Sequence, residues 1–228
     1  MLVSLRNYSN YSICESNIKI DDLVNFASKN NLSAIGLTDY NLLSGSLEFS
    51  IKCQKAGIQP IIGLDIDYVS ILGHSKRVTF LSKSEEGFKN LNILSTEVNT
   101  NNNFLLNENN ITNYANGNIL ILGGLYSYFD DIPINQKNLN KVLNEIKNLK
   151  EIFKNDLFFE YDSNLNNILL KEVSKKLEIP LFNSFFSFYK STNDFDAMQI
   201  LHCVKNGEYL QNSTFKINNN YRPCRLTH

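Results

Sequence analysis

Ala34–Asp67 reads AIGLTDYNLLSGSLEFSIKCQKAGIQPIIGLDID, and this stretch decides the fold. Ala34–Leu37 is an apolar run of strand length, and Thr38-Asp39-Tyr40-Asn41 reads as a polar turn leaving it. Leu47, Phe49, Ile51 and Cys53 fall in a segment of helix length, and Gly57 supplies the residue most common just past a helix C-terminus. Gln59–Asp67 opens with Pro60 and carries Ile61, Ile62, Leu64 and Ile66, a second strand. Strand, helix, strand in so short a span is a βαβ unit, which requires parallel strands and a crossover helix. In such units polar side chains at the C-terminal ends of the strands line the functional face. Here those are Asp39, Tyr40, Asp65 and Asp67.

The same alternation extends in both directions. Leu2–Arg6 reads as a first strand, Asn7–Glu15 as a polar loop, and Asp21 or Asp22 as the cap of a helix running to about Asn30, with Leu23, Val24, Phe26 and Ala27 buried. Downstream, strands are expected at Val78–Leu81, Ile119–Leu122, Leu157–Tyr161 and Pro180–Phe186. Helices are expected at Glu85–Val98, Leu139–Phe153 with Val142, Ile146 and Leu149 on one face, Leu165–Leu177, and Asp194–Asn206 with Ala197, Ile200, Leu201 and Val204 inward. Gly73–Lys76 is a turn. Asn99–Asn118 is Asn-rich and weakly patterned. Strands alternating with helices define an α/β protein with a mainly parallel sheet of about seven strands, closed as a barrel or open and doubly wound. No GxGxxG follows the first strand and no GxxxxGK[ST] occurs, which favours the barrel.

The chain has 228 residues, 43% of them hydrophobic, enough for a substantial core. A formal net charge of −1 gives no electrostatic case for nucleic-acid binding by the whole surface. The opening MLVSLRNYSNYS has no long apolar run and no segment reaches about 18 uninterrupted apolar residues, so neither signal peptide nor transmembrane helix is expected and a cytoplasmic location is. Cys14, Cys53, Cys203 and Cys224 have no ligand spacing and are expected to be reduced, with Cys53 and Cys203 in the core.

Histidine is scarce. His74 reads as a solvated turn residue, His202 as a helical residue without ligand company, and His228 is terminal. There is no HxH, HExxH or DxH pair, and a hydrolytic metal site needs nitrogen and carboxylate donors converging on one ion. Leu43-Ser44-Gly45-Ser46 lacks the two-glycine spacing of a nucleophile elbow and reads as a turn. Asp39, Asp65, Asp67, Glu160 and Asp162 stand at strand ends, as helix caps, as solvated groups or as ligands of a cation.

Five segments occur in an order shared with one family: LVSLRNYSNYSICES, DDLVNFASKNNLSAIGLTDYNLLSGSLEFSIKCQKAGIQPIIGLDI, RVTFLSKSEEGFKNLNIL, GNILILGG and IPLFNSFFSFYKSTNDFDAMQILHCVKNG. Together they resemble the N-terminal PHP (polymerase and histidinol phosphatase) domain of the bacterial replicative polymerase, the DNA polymerase III alpha subunit. The resemblance spans residues 2–210, and TDYNLLSGSLEFSIKCQKAGIQPIIG is its most specific block. It implies a distorted (β/α)7 TIM-like barrel over residues 1–210, with residues 211–228 a tail or the start of a connection to a polymerase core.

The resemblance also implies a metal site that this sequence does not keep. The family's HxH motif falls on Arg6 and Tyr8, its third early ligand on Glu15, the His of its TDH motif on Tyr40 and the acid of its GxE motif on Asp65. A later His falls on Arg77, a position often His or Cys on Gly124, and the closing DxH pair on Phe186 and Phe188. Glu15 and Asp65 alone remain as oxygen donors, so no bound metal and no cofactor are expected. Arg6 and Arg77 are expected to pair with Asp65 or Glu15 and hold the pocket together without metal. The implied role is a non-catalytic structural and docking domain. Its implied partners are the remainder of the polymerase alpha subunit and the proofreading exonuclease subunit, with DNA reached only through the holoenzyme and no membrane contact. DNA synthesis would belong to palm-domain carboxylates beyond residue 228. The alternatives are a metal-dependent phosphoesterase or 3′–5′ exonuclease of the same superfamily, and a free-standing remnant acting as a binding module.

Overall fold

The structure, a computed structural model, describes residues 4–124, 128–129, 136–161, 168–183 and 186–212. In chain order the first elements are β1 (Arg6–Asn7), α1 (Ile20–Lys29), β2 (Ala34–Tyr40), α2 (Ser46–Lys55) and β3 (Gln59–Val69). Next come β4 (Ser75–Ser82), α3 (Glu85–Thr100), β5 (Leu106–Asn107), β6 (Asn118–Gly123) and α4 (Gln136–Phe153). The last are β7 (Leu157–Tyr161), α5 (Ile168–Leu177), β8 (Leu181–Asn183), β9 (Phe186–Ser187) and α6 (Phe195–Asn206). The chain divides into two compact units, Met1–Ile62 with Phe185–His228, and Gly63–Ser184. Residues 1–3, 165–167 and 213–228, with Asp162, Cys224 and His228, fall outside the described residues.

In the first unit, α1 buries Ile20, Leu23, Val24 and Ala27, the spacing of a single helical stripe. They join Ile18, Ile35, Leu37, Phe49, Cys53 and Ile58 in one apolar core, with Phe26 packed at its edge. Neither Asp21 nor Asp22 caps α1. The helix starts one residue earlier, after Lys19, and both aspartates lie in its first turn, where a carboxylate still meets the positive end of the helix dipole. α2 turns Phe49 and Cys53 inward and leaves Leu47 and Ile51 exposed. It closes at Ala56, and Gly57 takes the left-handed conformation (φ +69°) at the position past the cap. β1 pairs in parallel with β9, Arg6 opposite Phe186 and Asn7 opposite Ser187. Ser4 bridges to Ile35, and Gly36 N–H donates to Ser4 O at 2.8 Å. This approach needs glycine: a Cβ at Gly36 would come within 2.2 Å of the Leu5 carbonyl oxygen.

Two expectations fail in this unit. β2 does not turn at Thr38 but runs on to Tyr40, with Thr38 and Asp39 buried. Polar residues signal a turn only when nothing else satisfies them, and here Asp39 has partners on the loop after β1. α6 does not bury Ala197, Ile200 and Val204, which are exposed; Met198 and Cys203 are its buried residues. Periodicity locates an apolar stripe but not the side on which the protein lies. Here the helix is rotated by its ends, Phe195 edge-on to Tyr189 (ring centroids 5.9 Å apart) and Lys205 ion-paired to Glu15.

The second unit is built on strands in the order β3-β4-β6-β7-β8, with β5 parallel to β3 on its other side. β4 is antiparallel to both β3 and β6, whereas β6, β7 and β8 run parallel, so the expected mainly parallel sheet is mixed here. The cause is local. Ser70 N–H donates to His74 O at 3.0 Å and Gly73 takes φ +80°, a tight turn that can only join antiparallel neighbours. One sheet face carries Leu64, Ile66, Tyr68, Val78, Phe80, Leu120, Leu122, Leu157 and Phe159, all buried. α4 covers part of it with Val142, Ile146 and Leu149, as its spacing predicts, and Phe153 meets Phe80 at 6.0 Å between ring centroids. The register places Asp65, Asp67, Arg77, Thr79, Gly123 and Glu160 on the opposite face. The Asn-rich stretch forms β5 and one 3₁₀ turn, Ile111–Tyr114. Pro180–Phe186 divides into β8 and β9, with residues 184–185 outside the described set. No helix among the described residues is long and apolar enough to cross a membrane.

Candidate functional site

The strand pair β1–β9 brings four of the singled-out positions together in the first unit. Arg6 is buried, its guanidinium 4.9 Å from the centroid of the Phe186 ring, and its Nη2 donates to the Tyr8 hydroxyl at 3.1 Å. The Tyr8 ring stacks on Phe188 at 4.3 Å with 13° between planes. Parallel pairing makes this possible: it sets Arg6 opposite Phe186, and two residues further along the two segments Tyr8 and Phe188 meet. The Arg6 cation thus faces two aromatic rings, Phe186 at 4.9 Å and Tyr8 at 5.8 Å, beside a stacked ring pair.

Asp39, near the end of β2, holds the loop after β1 in place. Its Oδ1 accepts from Ser9 N–H (2.6 Å) and the Ser12 hydroxyl (2.6 Å), and its Oδ2 from the Ser9 hydroxyl (2.7 Å). Burial pushes its carboxyl above the usual range, and the serine bonds oppose that rise. Tyr40 N–H donates to Ser12 Oγ at 3.0 Å. Glu15, on the same loop, forms an ion pair with Lys205 of α6, and the Lys205 ammonium lies 5.6 Å from the Tyr40 ring centroid.

In the second unit, Asp65 is fully buried on β3. Its Oδ1 accepts from the Thr79 hydroxyl at 2.6 Å, and Arg77 Nη1 lies 3.8 Å from its Oδ2. Arg77 also reaches Asp67 across the register, Nε to Oδ1 at 3.9 Å. Gly124 supplies a backbone turn: φ is +69°, and its N–H donates to Glu160 O at 3.0 Å. Glu160 is buried on β7.

The expected pairing of Arg77 with Asp65 is therefore present. Glu15 has Lys205 beside it, a partner that sequence reasoning missed, because a lysine in the last turn of a helix reads as a dipole partner. Glu145 was missed too. It is buried on α4 and accepts from Tyr68 OH (2.7 Å), from Tyr128 OH and from Ile71 N–H (3.1 Å to each oxygen). The available signal was a Glu inside the inward stripe Val142, Ile146, Leu149. His74 is exposed in its turn and His202 is half-buried on α6. Cys53 and Cys203 are buried as expected, and burial pushes the Cys53 thiol up to about 11. Among the described residues no group of three or more His, Cys, Asp or Glu is placed to hold a metal ion.

A family model described as the PHP domain matches residues 4–164, more than half of the chain, so the chain belongs to the PHP domain family. Its relatives include DNA polymerase III subunit alpha of Borreliella burgdorferi, 29% identical over 230 residues, covering 90% of this chain and 19% of that protein. The same subunit of Buchnera aphidicola is 28% identical over 233 residues, covering 96% of this chain and 20% of that protein. The chain thus spans about a fifth of the length of these relatives. Among solved structures, an amidohydrolase from Chromobacterium violaceum matches with a TM-score of 0.55 at 9% identity, covering 82% of this chain and 87% of that one. A protein described as a metal-dependent phosphoesterase from Bifidobacterium adolescentis matches with a TM-score of 0.53 at 8% identity, covering 80% and 86%. At such identities the likeness speaks to the fold, and that fold is the PHP fold expected from the sequence.

Proposed function

We propose that this chain is the PHP domain of a replicative DNA polymerase alpha subunit and acts there as a structural and docking domain, with its ancestral metal site degenerate. The observation that carries this reading is the Arg6–Tyr8–Phe186–Phe188 cluster, which puts a guanidinium and phenyl rings at four positions where the resemblance implies ligands. These residues do not fit a metal: a guanidinium cannot coordinate one, the phenyl rings of Phe186 and Phe188 offer no lone pair, and the Tyr8 hydroxyl accepts from the Arg6 cation, whose charge would repel a metal ion. On this reading residues 1–210 are the domain, and Arg6, Tyr8, Glu15, Tyr40, Asp65, Arg77, Gly124, Phe186 and Phe188 are former site positions. The partners are the rest of the polymerase subunit and the proofreading exonuclease subunit. DNA is met only through that assembly, in the cytoplasm.

The chain purified without chelator should carry far less than one equivalent of zinc or manganese by elemental analysis. It should also leave an aryl phosphate uncleaved with added manganese. Stoichiometric metal, or hydrolysis lost on Asp65→Ala, would establish the phosphoesterase alternative instead. For docking, failure to retain either the exonuclease subunit or the remaining polymerase in a pull-down would count against the reading.

A further inference from the structure

The sequence holds two Asn–Gly pairs, Asn116-Gly117 and Asn206-Gly207. In such a pair the glycine amide nitrogen can attack the preceding side-chain carbonyl, because no Cβ on the second residue hinders the approach. Whether it does so depends on what holds the nitrogen. Asn206 is the last residue of α6, and Gly207 N–H donates to Cys203 O as the helix cap. The Asn206 amide stands 3.3 Å from His202 Nδ1. Asn116-Gly117 lies instead in the turn between the 3₁₀ turn Ile111–Tyr114 and β6, with Asn116 exposed and Gly117 left-handed (φ +74°). Gly117 N–H donates to no group among the described residues.

We propose that Asn116 is a self-modification site, deamidating through a succinimide while Asn206 is spared. Hydroxide from solvent removes the Gly117 N–H proton, and the nitrogen bonds to Asn116 Cγ. The Cγ–Nδ2 bond breaks, and the departing nitrogen takes a proton from water and leaves as ammonia, which regenerates hydroxide. Water then opens the ring at either carbonyl, giving aspartate or isoaspartate. The balance is one water consumed and one ammonia released, with no oxidant and no cofactor.

The product falls on a tight joint. Gly117 O accepts from Lys83 N–H at 3.0 Å, and a Cβ on Gly117 would stand 2.2 Å from Ser84 Oγ and 2.5 Å from Gly87 N. Asn116 Nδ2 donates to Glu86 Oε1 at 2.7 Å, and Asn116 O accepts from Asn90 Nδ2 at 2.9 Å. In the aspartate product the new carboxylate meets Glu86 as a like charge. In the isoaspartate product the backbone gains a carbon, and the carbonyl that Asn90 bonds becomes the free carboxylate. Either way the entry to β6 loosens against the first turn of α3, where Gly87 N–H donates to the capping Ser84 Oγ at 3.1 Å.

The test ages the full chain, native and in urea, in mildly alkaline buffer made with heavy-oxygen water. Label uptake at each asparagine is read by mass spectrometry of proteolytic peptides, and isoaspartate by electron-transfer fragmentation. In the native chain Asn116 should convert at least about tenfold faster than Asn206, which reacts only while its helix end is open. In urea the two rates should converge, and both should rise with hydroxide concentration. The aged wild type should melt about 2–4 °C lower than fresh protein. Asn116→Gln, whose longer side chain closes the ring poorly, should age without that loss, and Asn206→Gln should age like wild type. Equal native rates, an unchanged melt after full conversion, or the same melting loss in Asn116→Gln would overturn the assignment. Metal content enters none of these readouts, so their outcome stands apart from that of the elemental analysis above.

Discussion

Replacing Asp39 by Ala should cost the protein about 2–3 kcal/mol, with the largest single share from one backbone group. Three buried donors converge on this carboxylate: Ser9 N–H, Ser9 OH and Ser12 OH. The N–H cannot turn to another acceptor, and leaving it unsatisfied costs roughly 1–3 kcal/mol. Each hydroxyl can rotate, so its loss is nearer the net value of an ordinary hydrogen bond, about 0.5–1.5 kcal/mol. Part of the sum is returned, because the ionised carboxylate is itself penalised by burial, the main cause of its raised pKa. Asp39→Asn keeps one acceptor and removes the charge, so it should lose no more than about 1 kcal/mol. Urea unfolding with an unchanged m-value should read the alanine variant as a midpoint shift of about 1 M. The pH dependence gives an independent check. A carboxyl whose folded pKa is raised contributes stability that is full below its unfolded pKa, about 3.9, and lost as pH rises through the folded value. Wild-type stability should therefore fall relative to Asp39→Asn as pH rises through the acid range, and the gap should then stay constant. An alanine variant within about 0.5 kcal/mol of wild type, or an asparagine variant worse than alanine, would refute the donor accounting.

Gly36→Ala should destabilise by about 2–3 kcal/mol, because its Cβ would stand 2.2 Å from the Leu5 carbonyl oxygen and two backbones would have to part; thermal melting checks it. Glu145→Ala strands two tyrosine hydroxyls and the Ile71 N–H, and should cost about 3 kcal/mol. Amide exchange of Ile71, in the turn after β3, should quicken in that variant ahead of β3 itself. Ser84→Ala removes the acceptor for Gly87 N–H at the start of α3 (3.1 Å) and should cost about 1 kcal/mol by urea midpoint.

The sequence carried the element order well because apolar spacing is a local property. Leu157–Tyr161 and the stripe Val142, Ile146, Leu149 were read as they stand. What it hid depends on partners distant in sequence. Thr38 and Asp39 look like a turn until Ser9 and Ser12 are seen to satisfy the carboxylate. The outward face of α6 follows from contacts of Phe195 and Lys205, which no helical period encodes. The antiparallel β4 was within reach, since the five residues between β3 and β4 cannot hold a crossover. At the candidate site, Arg77 with Asp65 was one of the pairings left open between two arginines and two acids; the register that brings them together sets Arg77 opposite Asp67, two residues from Thr79 opposite Asp65. Lys205 with Glu15 was not legible, the two standing 190 positions apart.

On the proposed reading two carboxylates, Asp65 and Glu15, remain at former ligand positions, and both have a cation of the chain beside them. Asp65 has the Arg77 guanidinium 3.8 Å away on the neighbouring strand, and Glu15 has the Lys205 ammonium. A buried carboxylate deprived of its counter-ion costs several kcal/mol, whereas neutral replacements at ligand positions carry no such debt. On the proposed reading, histidines could be exchanged for tyrosine and phenylalanine one at a time, since each left an apolar side chain that stacking could absorb, as Tyr8 does on Phe188. The acids could be kept only where a cation from the chain stood beside them. Arg77→Ala should therefore destabilise more than Arg77→Ala combined with Asp65→Asn, by about 1–2 kcal/mol in a double-mutant cycle. Equal losses in the single and double variants would mean that the guanidinium is not what keeps this carboxylate buried.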